Sequence, residues 1–281
     1  MPDLGKGEET GAAPASGAGT EPLLALDGLT HTYRARGRRR RPTAPAVLDA
    51  SLEVRTGEIV AVVGESGSGK STLARMVVGL LAPDHGGIAF RGEPLAVHRS
   101  HPQRRAIQMV FQDPKSSLNP RMSVERILYE VWQTHPEAVP PEGRAEGVRR
   151  LLGRVGLDPS LAAKRADEMS GGQAQRVSIA RALAAGPDLL VCDEAVSALD
   201  VSVQTQIITL LLELRDSLGL SLLFITHDLG VVRQIADHVV VMRAGEVVER
   251  GPAEAVFTAP AEPYTRELLG AALELDLGAP A

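Results

Sequence analysis

Between Gly64 and Thr72 the chain reads Gly-Glu-Ser-Gly-Ser-Gly-Lys-Ser-Thr. It follows the apolar run Ile59-Val60-Ala61-Val62-Val63 and precedes Leu73 to Leu81, which reads as helix. Strand, glycine-rich turn and helix are the context that the pattern G-x-x-x-x-G-K-[ST] requires. The glycines let the backbone fold into a concavity whose N–H groups point at phosphate oxygens. The following helix N-terminus adds its partial positive charge. Lys70 would reach the outer phosphates and Ser71 would offer its hydroxyl to Mg²⁺. The plain alternative is a strand–helix turn that binds nothing, and the Lys-Ser pair with these flanks disfavours it.

Composition narrows the class. At 281 residues there is room for one large or two small domains with a packed core. A net charge of −5 leaves no basic footprint for nucleic acid, and 3% aromatic residues give no base-stacking platform. The single Cys192 cannot form an internal disulfide, which suits a reducing cytoplasm. No apolar run approaches the roughly 18 residues of a membrane span, and the N-terminus lacks the regions of a signal peptide. The expectation is a chain that stays where it is made and reaches a membrane only through a partner.

Along the chain, residues 1–21 are Gly-, Ala-, Pro- and Glu-rich without periodicity and read as a disordered tail. Leu23 to Leu29 and Val47 to Val54 read as strands, separated by the basic loop Arg34 to Arg41. That loop reads first as a solvated charged surface, and second as a contact for anionic lipid or an acidic partner. Ile88 to Phe90 and Ile107 to Phe111 read as further strands, the latter delivering Gln112 to an Asp113-Pro114 turn. His98 and His101 lie in a polar, Arg-rich segment. Their spacing alone makes no metal site, so they read as surface residues.

Ser123 is an expected N-cap, with Val124, Ile127, Leu128 and Val131 on one helix face. A second helix carries Val148, Leu151, Leu152 and Val155. This region reads as a helical insertion between parts of an α/β domain. From Gly186 the order is βαβα: strands at Leu189–Cys192, Ser221–Ile225 and Val239–Met242 alternate with helices at Val201–Asp216 and Leu229–Ala236. Glu246 to Glu249 would close the series. Such alternation implies a parallel sheet with helices on its faces.

Two further stretches carry chemistry. The apolar strand Leu189 to Cys192 ends in Asp193 and Glu194, at the sheet edge where ligands of open α/β folds bind. Asp193 is expected to bind Mg²⁺ directly or to hold one of its ligands, and Glu194 is the expected general base for water, while Cys192 reads as a small buried apolar residue. Ser170-Gly171-Gly172-Gln173 opens the helix Ala174 to Ala185 as a capping box. A cap does not explain Gly171 and Gly172, because glycine in a helix costs roughly 1 kcal/mol against alanine. Close approach of backbone N–H groups to an anion does.

With these residues in view, the chain resembles the ATP-binding cassette (ABC) transporter ATPases from about Leu23 to Leu269. The family's phosphate loop matches Gly64, Ser66, Gly67, Ser68, Gly69, Lys70, Ser71 and Thr72. Its glutamine loop matches Gln112, and its signature motif matches Ser170, Gly171, Gly172 and Gln173. Its Walker B strand and glutamate match Leu189 to Glu194, its D-loop Ser197 to Asp200, and its switch histidine His227. The resemblance implies an α/β P-loop NTPase: a RecA-like core, an antiparallel β subdomain and a helical subdomain at about 115–180. The domain would span 22–270, with a C-terminal tail from 271 to 281. It implies ATP and Mg²⁺, with Ser71, Gln112 and Asp193 around the metal, Glu194, His227 and Gln112 in catalysis, and Asp200 across a dimer interface. Tyr33 would stack on adenine. Two subunits would dock head to tail, each ATP lying between one phosphate loop and the partner's signature helix. Ala174, Met169 and Ala195 depart mildly from the family pattern.

Phe111 to Pro114, Ser117 to Arg121, Val196 to Gln204 and Pro263 to Leu269 resemble the dipeptide/oligopeptide/nickel importers. Without a Cys-rich C-terminal extension, the chain is similar to the importer ATPase type that lacks it. That resemblance implies a second ATPase subunit, identical or different, two membrane permeases, and indirectly an extracytoplasmic solute-binding protein. It places the chain at the cytoplasmic face of the cell membrane. Nickel or another solute is the first alternative to peptides. A non-transport ABC ATPase is the second, though no tandem cassette or coiled-coil insertion is visible. A binding module without turnover is the third, against which Glu194, His227 and Gln112 together argue.

Overall fold

The computed structural model describes residues 21–33 and 44–277. The expected N-terminal tail, apart from Glu21, and the Arg34 to Arg41 loop lie outside these residues. The chain begins with β1 (Leu24–His31), β2 (Val47–Val54) and β3 (Ile59–Val63), followed by α1 (Lys70–Val77), β4 (His85–Phe90) and a short β5 (Glu93–Pro94). Next come α2 (His101–Ala106), β6 (Ile107–Val110), and the helices α3 (Pro114–Ser117), α4 (Val124–Thr134), α5 (Arg144–Arg154) and α6 (Gly171–Ala184). The remainder alternates as β7 (Leu189–Asp193), α7 (Val201–Leu218), β8 (Ser221–Ile225), α8 (Leu229–Ile235) and β9 (His238–Arg243). It ends with β10 (Glu246–Pro252), α9 (Ala253–Thr258) and α10 (Pro263–Leu277).

Two sheets result. A four-stranded antiparallel sheet has the order β2-β1-β4-β5, and a six-stranded sheet has the order β10-β9-β3-β8-β7-β6. The larger sheet is parallel from β9 to β6, with β10 added antiparallel at its edge. Because strand side chains alternate between faces, each central strand feeds two cores. Val60, Val62, Leu189, Val191, Leu223 and Ile225 pack with α1 and the smaller sheet. Leu190, Cys192, Leu222 and Phe224 pack on the other side with the helical layer. Strands β3, β7 and β8 are buried along their whole length, which explains why their sequences are continuous apolar runs.

The helical region is organised around Trp132, which is 1% exposed and donates its indole Nε1–H to the Ala184 carbonyl at 2.9 Å. Gly147 of α5 makes room for it. A Cβ there would lie 2.9 Å from Trp132 Cη2 and 2.5 Å from Pro140 Cγ, too close for any side chain. Ser123 caps α4 as expected, accepting from the Arg126 amide. The structure differs from the sequence expectation at two places. Ser100 and Gln103 form a capping box that starts α2, where only a polar segment was read. The segment from 271, expected to be a tail, continues α10 as far as Leu277.

Candidate nucleotide site

The loop 64–69 leaves β3 at the C-terminal edge of the parallel sheet and ends at α1. It is tightly walled. A Cβ on Gly64 would stand 2.1 Å from the Met242 carbonyl oxygen, and one on Gly69 2.3 Å from the Ala46 carbonyl oxygen. Both glycines also have positive φ, at 145° and 105°. Space and backbone conformation therefore both demand glycine. Ser66 and Gly67 form the exposed rim, whereas Ser68, Lys70 and Thr72 are buried.

Lys70 Nζ donates to the Gly64 and Glu65 carbonyls at 2.7 and 2.8 Å, and lies 3.4 Å from Ser68 Oγ. Among the described residues it has no carboxylate partner at ion-pair distance. Burial lowers its pKa, opposed by the field of Glu194, Asp193 and Glu65. A buried ammonium held by neutral oxygens, inside a glycine cup at a helix start, is chemically suited to an incoming polyphosphate.

Ser71 Oγ donates to Asp193 Oδ1 at 2.8 Å, joining α1 to the end of β7. Burial raises the Asp193 pKa, while the Ser71 hydrogen bond and the Arg75 and Lys70 charges pull it down. The two oxygens form the hard donor set that Mg²⁺ prefers. Glu194 follows with φ of 49°, a left-handed conformation that costs a residue with a side chain about 1–3 kcal/mol. The kink turns its carboxylate toward two partners. Gln112 Nε2 donates to Oε2 at 2.7 Å, and His227 Nδ1 lies 3.3 Å from Oε1. Residues from three separate strand ends thus converge on one carboxylate. Next to it, Cys192 is fully buried, and burial pushes its thiol up to about 12, outside nucleophile chemistry.

Tyr33 is 44% exposed, with its hydroxyl 3.3 Å from Thr72 Oγ1 and its ring edge-on to His31. It stands beside the start of α1, partly open to solvent. Ser170 and Gln173 form the capping box: Ser170 Oγ accepts from the Gln173 amide at 3.2 Å, and Gln173 Oε1 accepts from the Ser170 amide at 3.3 Å. Asp200 likewise caps α7, accepting from the Val203 amide and the Ser202 hydroxyl. The starts of α6 and α7 lie side by side, since a Cβ on Gly172 would meet Val203 Cγ1 at 2.7 Å. Gly172 therefore has a packing reason besides any anion it approaches. Ser170, Gly171 and Asp200 are exposed together on this face.

One support was missed in the sequence. The Glu65 amide donates to Tyr264 Oη at 3.3 Å, and Arg243 lies over the Tyr264 ring, 4.6 Å from its centroid. The C-terminal helix thereby braces the phosphate loop. No local pattern announces a contact across such a sequence distance.

A family model described as ABC transporter matches residues 47–197. The chain belongs to that family. Its relatives include a probable peptide ABC transporter ATP-binding protein of Sinorhizobium fredii, 45% identical over 90% of this chain and 73% of its own length. A putative peptide import ATP-binding protein of Brucella abortus is 49% identical over 84% of this chain and 71% of its own length. Among solved structures, CbiO1 from Clostridium perfringens, part of an ABC transporter complex, superposes with a TM-score of 0.74 at 28% identity. It covers 92% of this chain and all of its own. The ATP-binding cassette MJ0796, a dimer in a post-hydrolysis state with ADP and phosphate, gives 0.72 at 28% identity over 82% of this chain and 99% of its own. The fold and family of this ABC ATPase thus agree with its motifs. Among the described residues no helix is long and apolar enough to cross a membrane.

Proposed function

We propose that this ABC ATPase powers peptide import from the cytoplasmic face of the membrane, as one half of a head-to-tail ATPase dimer docked on two permeases. An extracytoplasmic solute-binding protein would deliver the peptide. The observation that carries the hydrolytic part is the Glu194 carboxylate held between Gln112 and His227. The solute class rests on relatives whose names carry peptide, not nickel.

In this reading the loop amides and Lys70 bind the β- and γ-phosphates of the substrate ATP, and Tyr33 stacks on its base. Lys70 exchanges the Gly64 and Glu65 carbonyls for phosphate oxygens. Ser71 and Asp193, together with Gln112, would hold Mg²⁺, which would neutralise phosphate charge. Glu194 accepts a proton from the attacking water at a carboxylate oxygen, and Gln112 and His227 hold that carboxylate in place. Ser170 to Gln173, with Ser170 and Gly171 exposed and all remote from the loop in sequence, supply the second clamp to the partner's nucleotide. Asp200, beside them, lies in the same interface. Closure of the dimer excludes bulk water from both sites while leaving the attacking water beside Glu194, and hydrolysis reopens it.

Co-expression of the Glu194→Gln variant with a peptide permease pair tests this. Hydrolysis is expected to fall by about 10²–10⁴-fold, with ATP trapped in a dimer retained on the permeases. Hydrolysis at the wild-type rate would remove Glu194 as the base. Loss of the permeases would count against transport. Retained permeases with ATPase activity indifferent to peptide and its binding protein would exclude peptide as the solute.

A further inference from the structure

We propose that His101, His135 and Glu137 form a site for a zinc-like divalent transition-metal ion that ties α2 to the C-terminal end of α4. His101 opens α2, His135 is the C-cap of α4, and Glu137 sits in the 3₁₀ turn that follows. One ligand atom from each lies within 4.8 Å of the others. The two imidazole rings meet edge to face with centroids 4.9 Å apart.

The second observation is His135 itself. It is 7% exposed, and its Nδ1 is buried without any hydrogen-bond partner. The nearest acid oxygen to that nitrogen, Glu137 Oε1, stands 3.8 Å away. A buried polar atom normally has a partner, and among the described residues the unused nitrogen has only the Glu137 carboxylate, 3.8 Å off, as an acid in its neighbourhood.

Two imidazoles and one carboxylate are a donor set that zinc takes in open, three-ligand sites, whereas Mg²⁺ prefers oxygen alone. Zinc ligands at about 2.0–2.1 Å lie roughly 3.4 Å from one another in a tetrahedral shell. The approach falls to His101 and Glu137, both exposed at the rim of a depression also lined by Pro102, Arg105, Gln133 and Pro136. Arg105, with Nε 4.0 Å from Glu137 Oε1, is the local competitor for the carboxylate. Because α2 runs directly into β6, which leads to Gln112, such an ion would fasten the helical layer to the strand that carries the glutamine loop.

The test is titration of the chelator-treated, tag-free full chain with Zn²⁺ alone, in competition with a chromogenic chelator. One ion per chain is expected. His101→Ala and Glu137→Gln, both at exposed positions, should each weaken it about tenfold or more, since even outer-shell partners of metal ligands are worth roughly 10–100-fold. Arg105→Ala should tighten it, and His227→Ala should leave it unchanged. Hydrogen exchange should show α2 and residues 130–138 becoming more protected on Zn²⁺ addition. Zinc binding indifferent to both His101→Ala and Glu137→Gln, or no stoichiometric binding at all, would overturn the proposal.

Discussion

The helices α1 and α6 both begin on glycines, and both starts look in sequence like places for an anion. Their surroundings differ completely. At α1, the carbonyls of Met242 and Ala46 press against Gly64 and Gly69, Tyr264 braces the Glu65 amide, and Lys70 is buried inside the cup. At α6, Ser170 and Gly171 face solvent, and the Ser170 and Gln173 side chains satisfy their own helix. Among the described residues, no lysine or arginine is hydrogen-bonded to this start. The first is a finished pocket and the second an exposed surface. The same local device becomes a walled pocket or an open surface according to what the rest of the chain packs around it.

The contrast can be broken most sharply at Lys70. Lys70→Ala removes a charge-assisted contact worth about 1.5–3 kcal/mol, so ATP affinity of the single chain should fall roughly 10–150-fold. The nucleotide-free fold should be no less stable, because burial disfavours that ammonium. Calorimetry and thermal melting together check both halves. At the other start, Gly172→Ala would set a methyl 2.7 Å from Val203 Cγ1. Overpacking of about 1–3 kcal/mol outweighs a helix gain of at most about 1 kcal/mol. Denaturant unfolding should show a net loss, with ATP affinity at low protein concentration intact.

Ser170→Ala should cost about 1 kcal/mol through the lost cap. Affinity of the isolated chain for ATP should again be unchanged, while ATPase activity at concentrations that favour the proposed dimer falls. An equal loss of ATP affinity in the monomer would erase the distinction between the two helix starts. The smallest effect on stability belongs to Asp193→Asn, which keeps an oxygen to accept the Ser71 hydroxyl. Burial raises the Asp193 pKa above its ordinary 3.8, so the carboxyl contributes most favourably to folding below that value and loses that contribution as pH rises through the raised pKa. The nucleotide-free variant should therefore melt slightly above wild type near neutral pH, and the gain should vanish toward pH 4. Its Mg²⁺-dependent hydrolysis should be lost.

Sequence patterns made the parallel core and its motifs readable because each depends on local physics. Continuous apolar runs mark β3, β7 and β8, and a capping box marks α6. The α2 capping box at Ser100 and Gln103 is equally local, but the helix it starts is short and its polar, Arg-rich sequence carries no apolar face to mark it. The missed support at Tyr264 and the meeting of His101 with His135 have no such signal. They arise from tertiary packing, which brings together segments whose sequences carry no mark of one another. Glu194 is the intermediate case. Its place after β7 follows from the strand, but the kink that lets Gln112 and His227 share its carboxylate is visible only in the folded chain.

The chain has one tryptophan, and it lies at the centre of the helical layer, wedged against Gly147 and hydrogen-bonded to the end of α6. Intrinsic indole fluorescence therefore acts as a local optical gauge. It registers loosening among α4, α5 and α6, whereas loosening confined to the small antiparallel sheet passes unseen. Unfolding followed by emission and by circular dichroism need not coincide, and any gap between the two curves would measure how independently the helical layer melts.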